Sequence, residues 1–206
     1  LVIGDSFSMT HRWQSVLVKG GYKVTTAFWG QFDERLCGDF DAWLARAGFK
    51  GKLVIVESVE RILQERMRYT RSCETMKRPF AARTEPFAPP LEHVPGFALN
   101  WGAKLTSGLD TLKYTRAAKA TTADTVSTDR TKARTVVNGC EMFSHRLCNK
   151  ALFFGEDDEN GELPAEDVAA MQAFTKSQTA FPMLWMVIPN KTTTYIDPSH
   201  CLLYTS

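Results

Sequence analysis

The feature that most constrains the fold is an alternation of two hydrophobic periods over the first third of the chain. Apolar and β-branched runs at 1–3, 22–28 and 53–56 have strand character. Between and after them, 39–47 and 59–67 carry apolar residues at helical spacing. Strands that alternate with helices favour a parallel sheet with right-handed crossovers. We therefore predict an α/β fold, a three-layer α/β/α sandwich with a mostly parallel, flavodoxin-like sheet.

The first helix is predicted directly after the first strand. Met9, Trp13, Val16 and Leu17 follow helical spacing and would form one apolar face. The pair Gly20-Gly21 would end this helix, because glycine favours helix ends. We expect the apolar face to pack on the sheet.

Periodicity is lost in the middle of the chain and returns towards the end. Five prolines crowd the start of 76–134, and a 60-residue loop is unusual in a compact domain, so we predict a loop-rich insertion over the site, with one helix near 105–118. Strands are expected at 135–137, 151–154 and 183–188, with a helix starting at Pro164. The predicted division is 1–75 and 135–200 for the two parts of the α/β domain, 76–134 for the insertion, and 201–206 for a non-native tail.

Composition excludes several classes of protein. The 25 basic and 23 acidic residues are mixed along the chain and give a net charge of +2, so no basic stripe predicts nucleic-acid binding. No apolar run reaches the ~18 residues of a membrane span. No C-x-x-C motif supports a zinc ribbon or a thioredoxin-like site. We expect neither a metal nor a cofactor.

Gly4-Asp5-Ser6 stands where the first strand passes into the first helix. Glycine permits a tight backbone there, and a helix N-terminus offers N–H groups that can hold an oxyanion. A serine hydroxyl at this turn could attack a carbonyl. The alternative is that Asp5 or Ser6 only caps the helix.

The context of this triplet resembles the SGNH/GDSL hydrolases, and in particular their alginate O-acetyltransferase-like branch. Gly-Asp-Ser-Phe-Ser after an apolar strand is similar to the first block of that superfamily. Segments at 54–61, 142–146, 151–157 and 187–195 also resemble the branch. The resemblance implies that Ser6 is the nucleophile and that an acetyl group passes through an acyl-serine to or from a bacterial polysaccharide. The implied partners are an acyl donor, a polysaccharide acceptor and other polysaccharide-modification proteins.

The resemblance also implies an oxyanion glycine and an oxyanion asparagine. Gly30 could be the glycine, but Glu57-Ser58 stands where the asparagine is expected. Glu57 and Arg61 could form a polar floor that binds a sugar hydroxyl or steadies the base. They could equally be a buried pair that orients a loop. Lys191 could bind substrate or be a solvated lysine at a strand end.

A serine nucleophile normally needs a histidine oriented by a carboxylate. Asp197-Pro-Ser-His200 has the D-x-x-H spelling of the family, although it lies only nine residues after Lys191. The alternative is that the genuine segment lies beyond residue 206. His11 follows Ser6 by five residues on the predicted helix, and at ~100° per residue it would point away.

Two other functions stay open, a hydrolytic carbohydrate esterase and a non-catalytic carbohydrate-binding or assembly module that keeps the fold. The resemblance implies a periplasmic protein, with a cytoplasmic one as the alternative. In the periplasm a bridge between Cys140 and Cys148 would persist, whereas in the cytosol they would be free thiols. Cys201 lies in the tail that we expect to be non-native.

Overall fold

The computed structural model describes two continuous stretches, 1–88 and 163–190, and short segments of the remainder. The chain divides into two units, Leu1–Glu92 with Glu162–Pro189, and His93–Gly161 with Asn190–Ser206. The short segments are 105, 108–109, 112–113, 116–117, 120, 125–128, 131–135, 138–142, 149–154 and 193.

The first unit is built on a five-stranded sheet with the order β4-β2-β1-β3-β8. Strands β1, β2, β3 and β8 are parallel, and β4 lies antiparallel to β2 at one edge. The predicted α/β fold with a mostly parallel sheet is thereby confirmed. The strands of the chain are β1 (Val2–Gly4), β2 (Thr25–Phe28), β3 (Val54–Val59), β4 (Arg83–Thr84), β5 (Thr125–Thr128), β6 (Thr131–Thr135), β7 (Lys150–Phe154) and β8 (Met183–Ile188).

Helices follow the parallel strands as the sequence predicts. The described α-helices are α1 (Arg12–Lys19), α2 (Phe40–Arg46), α3 (Glu60–Arg71), α4 (Gly139–Met142) and α5 (Ala165–Ser177). Short 3₁₀-helices, Ser6–Ser8 and Trp29–Phe32, follow β1 and β2. Pro164 precedes α5, where a fixed φ costs the helix no hydrogen bond. No helix in the described part of the chain is long and apolar enough to cross a membrane.

The core lies between the sheet and the helices that follow it. Ile3 and Val56 from neighbouring strands are fully buried and belong to one cluster with Phe40 of α2 and Phe174 of α5. A second cluster joins α3 to α5 through Leu63, Met67 and Met171. Burying each such side chain contributes about 1.5–3 kcal/mol, so the sheet is held chiefly by this apolar contact.

The predicted apolar face of α1 is wrong in part. Met9 precedes the helix and is 56% exposed, and Val16 is 66% exposed. The buried residues of α1 are Gln14 and Ser15. The difference arises because the chain first forms a separate 3₁₀-helix and then adopts a left-handed backbone at His11, whose φ is 60°. The face of α1 that is buried therefore differs from that of one continuous helix.

The second unit contains a three-stranded antiparallel sheet with the order β5-β6-β7. Only two residues separate β5 from β6, and so short a connection can join antiparallel strands but not parallel ones. The segments expected to be strands near 135 and at 151–154 therefore pair with each other here. Conversely, β4 lies within the range assigned to the insertion but pairs with β2. The helix expected near 105–118 falls largely outside the described residues.

A disulfide between Cys37 and Cys73 ties the start of α2 to the end of α3. Beside it, the Gly38 N–H donates to the Cys73 carbonyl at 2.8 Å, and the Asp39 N–H donates to the Glu74 carbonyl at 3.0 Å. This pairing was not predicted. Cys140 is disulfide-bonded too, whereas Cys148, its predicted partner, lies outside the described residues.

We expect the double substitution Cys37→Ala and Cys73→Ala to lower the free energy of unfolding by about 3–4 kcal/mol. The bridge closes a loop with a sequence separation of 36, and its loss frees the unfolded chain. Urea denaturation without reductant measures the effect, and reductant should shift the double variant less than the parent protein. Equal midpoints for variant and parent would contradict the expectation.

Candidate active site

Ser6 is exposed and begins the 3₁₀-helix that directly follows β1. Asp5 caps this helix, since its Oδ1 accepts a hydrogen bond from the Phe7 N–H at 3.1 Å. The Ser8 N–H donates to the Asp5 carbonyl at 3.0 Å and closes the turn. Asp5 therefore performs the capping that the alternative interpretation proposed, which leaves Ser6 at the surface of the turn.

The Asp5 carboxylate also connects this turn to β3 and α3. Its Oδ2 accepts from the Val59 N–H at 2.8 Å and from Nη1 of Arg66 at 3.3 Å. Arg66 is nearly fully buried, and it donates to Ser58 Oγ at 2.6 Å and to Glu34 Oε2 at 2.6 Å. A buried guanidinium held by two carboxylates gives the turn a fixed electrostatic anchor.

Arg66 was missed as a site residue, although the sequence carries a signal for it. It occupies a position on the apolar face of α3, next to the buried Met67. A charged residue at such a position needs a partner of opposite sign. The structure supplies Asp5 and Glu34 as those partners, and the guanidinium also lies 4.5 Å from the ring centroid of Trp29.

Glu57 supports the turn from below. Its side chain is fully buried, and Oε2 accepts from the Asp5 N–H at 2.9 Å and from Ser8 Oγ at 2.7 Å. Burial raises the pKa of Glu57 to about 7, although the hydrogen bonds from Ser8 and Asp5 act to lower it. Of the roles considered for Glu57, this placement fits a buried group that orients a loop, and Arg66 contacts the same turn through Asp5.

Gly4 lets the turn close onto Glu57. A Cβ added at Gly4 would lie 2.2 Å from Ser8 Oγ and 3.0 Å from Glu57 Oε2. The first of these distances is impossible for real atoms, so a side chain there would displace Ser8 from Glu57. The Gly-Asp-Ser motif therefore needs glycine because Ser8 and Glu57 approach its Cα closely, and not because the backbone φ is unusual.

Gly30 leaves the sheet at the same edge as Ser6. Gly4 pairs with Phe28 across β1 and β2, so the 3₁₀-helices that follow start side by side. Gly30 is exposed, and the neighbouring Trp29 is buried with Nε1 donating to the Glu57 carbonyl at 2.6 Å. This position is compatible with an oxyanion donor, and that role stays a prediction.

A second charged network lies on the other side of the turn. His11 Nδ1 lies 2.5 Å from Oε2 of Glu85, a carboxylate that is completely buried just after β4. Arg83 donates from Nε to Glu85 at 3.0 Å and from Nη2 to the Ser8 carbonyl at 2.6 Å. Burial would raise the pKa of Glu85, but hydrogen bonds from Thr26, Arg83 and His11 outweigh it and hold the pKa below its ordinary value.

Ser6 and His11 do not lie on one continuous helix, as the prediction that His11 points away from Ser6 assumed. In the structure α1 begins at Arg12, and His11 precedes it in the left-handed region with φ 60°. The 3₁₀-helix of Ser6 is a separate element, so a rotation of ~100° per residue does not relate the two. No pattern in the sequence pairs His11 with Glu85, which lies 74 residues away.

Arg61 is half-buried on α3, and Lys191, Asp197 and His200 lie outside the described residues, so their roles stay predictions. Among the described residues, no group of three or more histidine, cysteine or acidic side chains forms a potential metal site. A cavity of about 350 Å³ opens beside the disulfide, lined by Asp33, Arg35, Cys37, Cys73, Lys77 and Arg78 among others.

Comparisons with known proteins identify no family for this arrangement. No protein-family model matches the chain, and neither the curated proteins nor the solved structures contain a significant match. Any function is therefore inferred from the geometry of the Ser6 turn and from the residues around it.

Gly4→Ala should destabilise the protein by about 1–3 kcal/mol, because the added methyl group overpacks the buried contact between Ser8 and Glu57. Gly30→Ala is the matched control, since a Cβ there meets only Glu34 Oε1 at an ordinary 3.5 Å. Thermal and urea unfolding of both variants measure the effect. Equal stability of the two variants would disprove the close approach at Gly4.

The pH dependence of stability should carry the signature of Glu57. Its pKa in the folded protein lies above the ordinary 4.5, so the folded state holds the proton longer than the unfolded state. Stability should therefore fall as pH rises from about 4.5 to about 7, by at most about 3 kcal/mol. Glu57→Gln should remove this decline, since its amide resembles the neutral acid, and an identical decline in the variant would assign the effect to other groups.

Proposed function

We propose that the protein is an SGNH-type serine acyl enzyme, with Ser6 as nucleophile, that transfers O-acetyl groups to or from a bacterial polysaccharide. The observation that carries the proposal is an exposed serine on a tight turn at the carboxyl edge of a parallel sheet, with buried groups fixing that turn from two sides. Ligand sites of open α/β sheets lie at this edge. Fixing a nucleophile in advance is what covalent catalysis requires.

The sheet supports a flavodoxin-like, three-layer α/β/α arrangement as part of this proposal. The parallel strands follow the order β2-β1-β3-β8, which is the start of the 2-1-3-4-5 order of flavodoxin-like folds. In that order β1 lies inside the sheet, and the chain leaves its carboxyl end between two neighbouring strands. Ser6 occupies this position after β1.

In the proposed reaction the Ser6 hydroxyl attacks the carbonyl carbon of an acetyl ester. The new Oγ–C bond forms as the hydroxyl proton passes to a base, and the donor alcohol leaves with a proton. Main-chain N–H groups at Ser6 and Gly30 would stabilise the charged carbonyl oxygen. The acetyl group then passes from Ser6 to a polysaccharide hydroxyl, which restores the serine.

Hydrolysis is the close alternative, because it shares the first half of this reaction and replaces the sugar hydroxyl with water. A non-catalytic carbohydrate-binding or assembly module is the alternative from another class. A binding module does not need an exposed serine hydroxyl on a turn so tight that position 4 must be glycine. The Ser6 turn therefore favours an enzyme over a binding module.

The disulfides support an extracytoplasmic, periplasmic location as part of the proposal. Cys37 and Cys73 are bridged, and Cys140 is disulfide-bonded as well. Such bonds persist in oxidising compartments and are rare in the reducing cytosol. Bacterial polysaccharides outside the inner membrane would be accessible to an enzyme in that location.

Ser6→Ala should abolish acetyl-enzyme formation and lower turnover of p-nitrophenyl acetate by about three orders of magnitude. Mass spectrometry of peptides from protein quenched during turnover should find the acetyl group on the Ser6 peptide of the parent protein only. Ser72→Ala is the matched control, because Ser72 is an exposed serine at the end of α3.

Turnover of Ser6→Ala within tenfold of the parent protein would overturn the proposed function. If acetyl-Ser6 forms, addition of oligosaccharide acceptors then separates transfer from hydrolysis. Transfer predicts an acetylated oligosaccharide, whereas a hydrolase releases acetate at a rate that does not depend on the acceptor.

A further inference from the structure

We propose that His11, oriented by Glu85, is the general base that activates Ser6. The inference rests on the proposed function, and it assigns a role that the sequence analysis gave to Asp197 and His200. It is carried by the contact of His11, which follows the nucleophile turn, with the buried carboxylate of Glu85. Arg83 donates both to Glu85 and to the Ser8 carbonyl of that turn.

The pair has the arrangement that a catalytic histidine needs. Nδ1 of His11 lies 2.5 Å from Oε2 of Glu85. Hydrogen bonds stabilise the charged form of Glu85, so the carboxylate is an acceptor and the Nδ1 atom carries the hydrogen. The lone pair of the imidazole is then on Nε2, the atom that takes a proton in serine triads.

Glu85 is built into the fold rather than placed at the surface. Its carboxylate has no exposed area, and its main-chain N–H donates to the Val24 carbonyl at 2.9 Å, next to the pairing of β4 with β2. Arg83 contacts its other oxygen, Oε1, at 3.0 Å. A carboxylate held in this way can fix the orientation of the imidazole, which makes Glu85 a positioning residue.

Arg83 connects the pair to the turn of Ser6. Its Nη2 donates to the carbonyls of Ser8 at 2.6 Å and Met9 at 3.2 Å, while its Nε holds Glu85. The end of the nucleophile turn and the carboxylate that contacts the His11 imidazole are therefore held by one guanidinium. Because Ser6 begins this same turn, a change in the contacts of the His11–Glu85 pair would also affect the turn that carries Ser6.

The backbone of His11 adopts a conformation that a histidine rarely occupies. Its φ is 60°, and the Ser15 N–H and Ser15 Oγ donate to its carbonyl at 3.0 and 2.7 Å. Backbone strain of this kind concentrates at functional sites. The imidazole is 20% exposed, so it is accessible while its Glu85 contact is buried.

The proposed proton path balances over both half-reactions. Nε2 of His11 takes the Ser6 hydroxyl proton as the Oγ–C bond forms, and it then gives that proton to the departing alcohol oxygen. In the second half, Nε2 takes the proton of the acceptor hydroxyl as its oxygen attacks the acetyl carbon. The proton finally returns to Ser6 Oγ as the acyl bond breaks, and Glu85 stays ionised throughout.

The decisive variant is His11→Asn. Asparagine tolerates positive φ, and its amide can donate to Glu85 as Nδ1 does, but it has no counterpart of Nε2. We expect kcat/KM for p-nitrophenyl acetate to fall by about 10²–10⁴-fold with an unchanged melting temperature. Glu65→Gln, which removes an exposed carboxylate of α3, is the control for which we expect no change.

The pH profile separates a catalytic role from a structural one. A histidine base makes kcat/KM rise with pH near neutrality, and His11→Asn should remove that rise. Glu85→Gln should lower kcat while KM stays unchanged, because the amide orients the imidazole less firmly than the carboxylate does. Glu57 titrates in the same pH range, near neutrality. Arg83 is the other charged group that contacts Glu85. The pH profile of Glu57→Gln is therefore recorded as well, and we expect kcat/KM of this variant still to rise with pH.

Added imidazole provides an independent readout. His11→Gly suits a positive φ and leaves space at the histidine site, so imidazole should restore part of the lost turnover. Turnover of His11→Asn within threefold of the parent protein, while Ser6→Ala is inactive, would overturn this inference and leave the proposed function standing. If Ser6→Ala is as active as the parent protein, the proposed function itself fails.

Discussion

Arg66 places a guanidinium almost entirely out of solvent, and a charge in that position must be neutralised and hydrogen-bonded. Asp5 from the turn after β1 and Glu34 from the segment after β2 supply the two carboxylates. This requirement joins three elements that are distant in sequence at one edge of the sheet. If both carboxylates were lost, a buried cation would remain unpaired, which costs about 3–5 kcal/mol. The position of Ser6 therefore depends on a charge balance beneath it.

The turn is further restrained by two groups of different character. Glu57 accepts from Ser8 below the turn, and Arg83 donates to the Ser8 carbonyl beside it. A turn held by these contacts fixes the backbone of Ser6 before a substrate binds, which lowers the entropy cost of positioning the nucleophile. The buried polar groups also explain why the structure tolerates a side chain at Gly30 but not at Gly4. Burial of Glu57 further couples the stability of this site to pH near neutrality.

The predictions that held were those that depend on local pattern. Strand and helix periods at the start of the chain led to the parallel sheet, and the apolar run at 183–188 led to β8. The pattern was less informative for α1, where Val16 is exposed and Gln14 is buried. The predicted face assumed one continuous helix, whereas the structure has a separate 3₁₀-helix and a left-handed backbone at His11 before α1 begins. Local pattern also did not predict that β6 and β7 pair with each other in a separate sheet.

The sequence by itself determined the α/β class and drew attention to Ser6, because a glycine, a capping acid and a serine after an apolar strand specify a tight turn through local chemistry. The charge of Arg66 on the apolar face of α3 was a further local signal, although the prediction did not use it. Only the tertiary structure decided which groups surround that turn. His11 and Glu85 are separated by 74 residues, and Cys37 and Cys73 by 36. Contacts of this range follow from strand order and burial, and no local spacing encodes them.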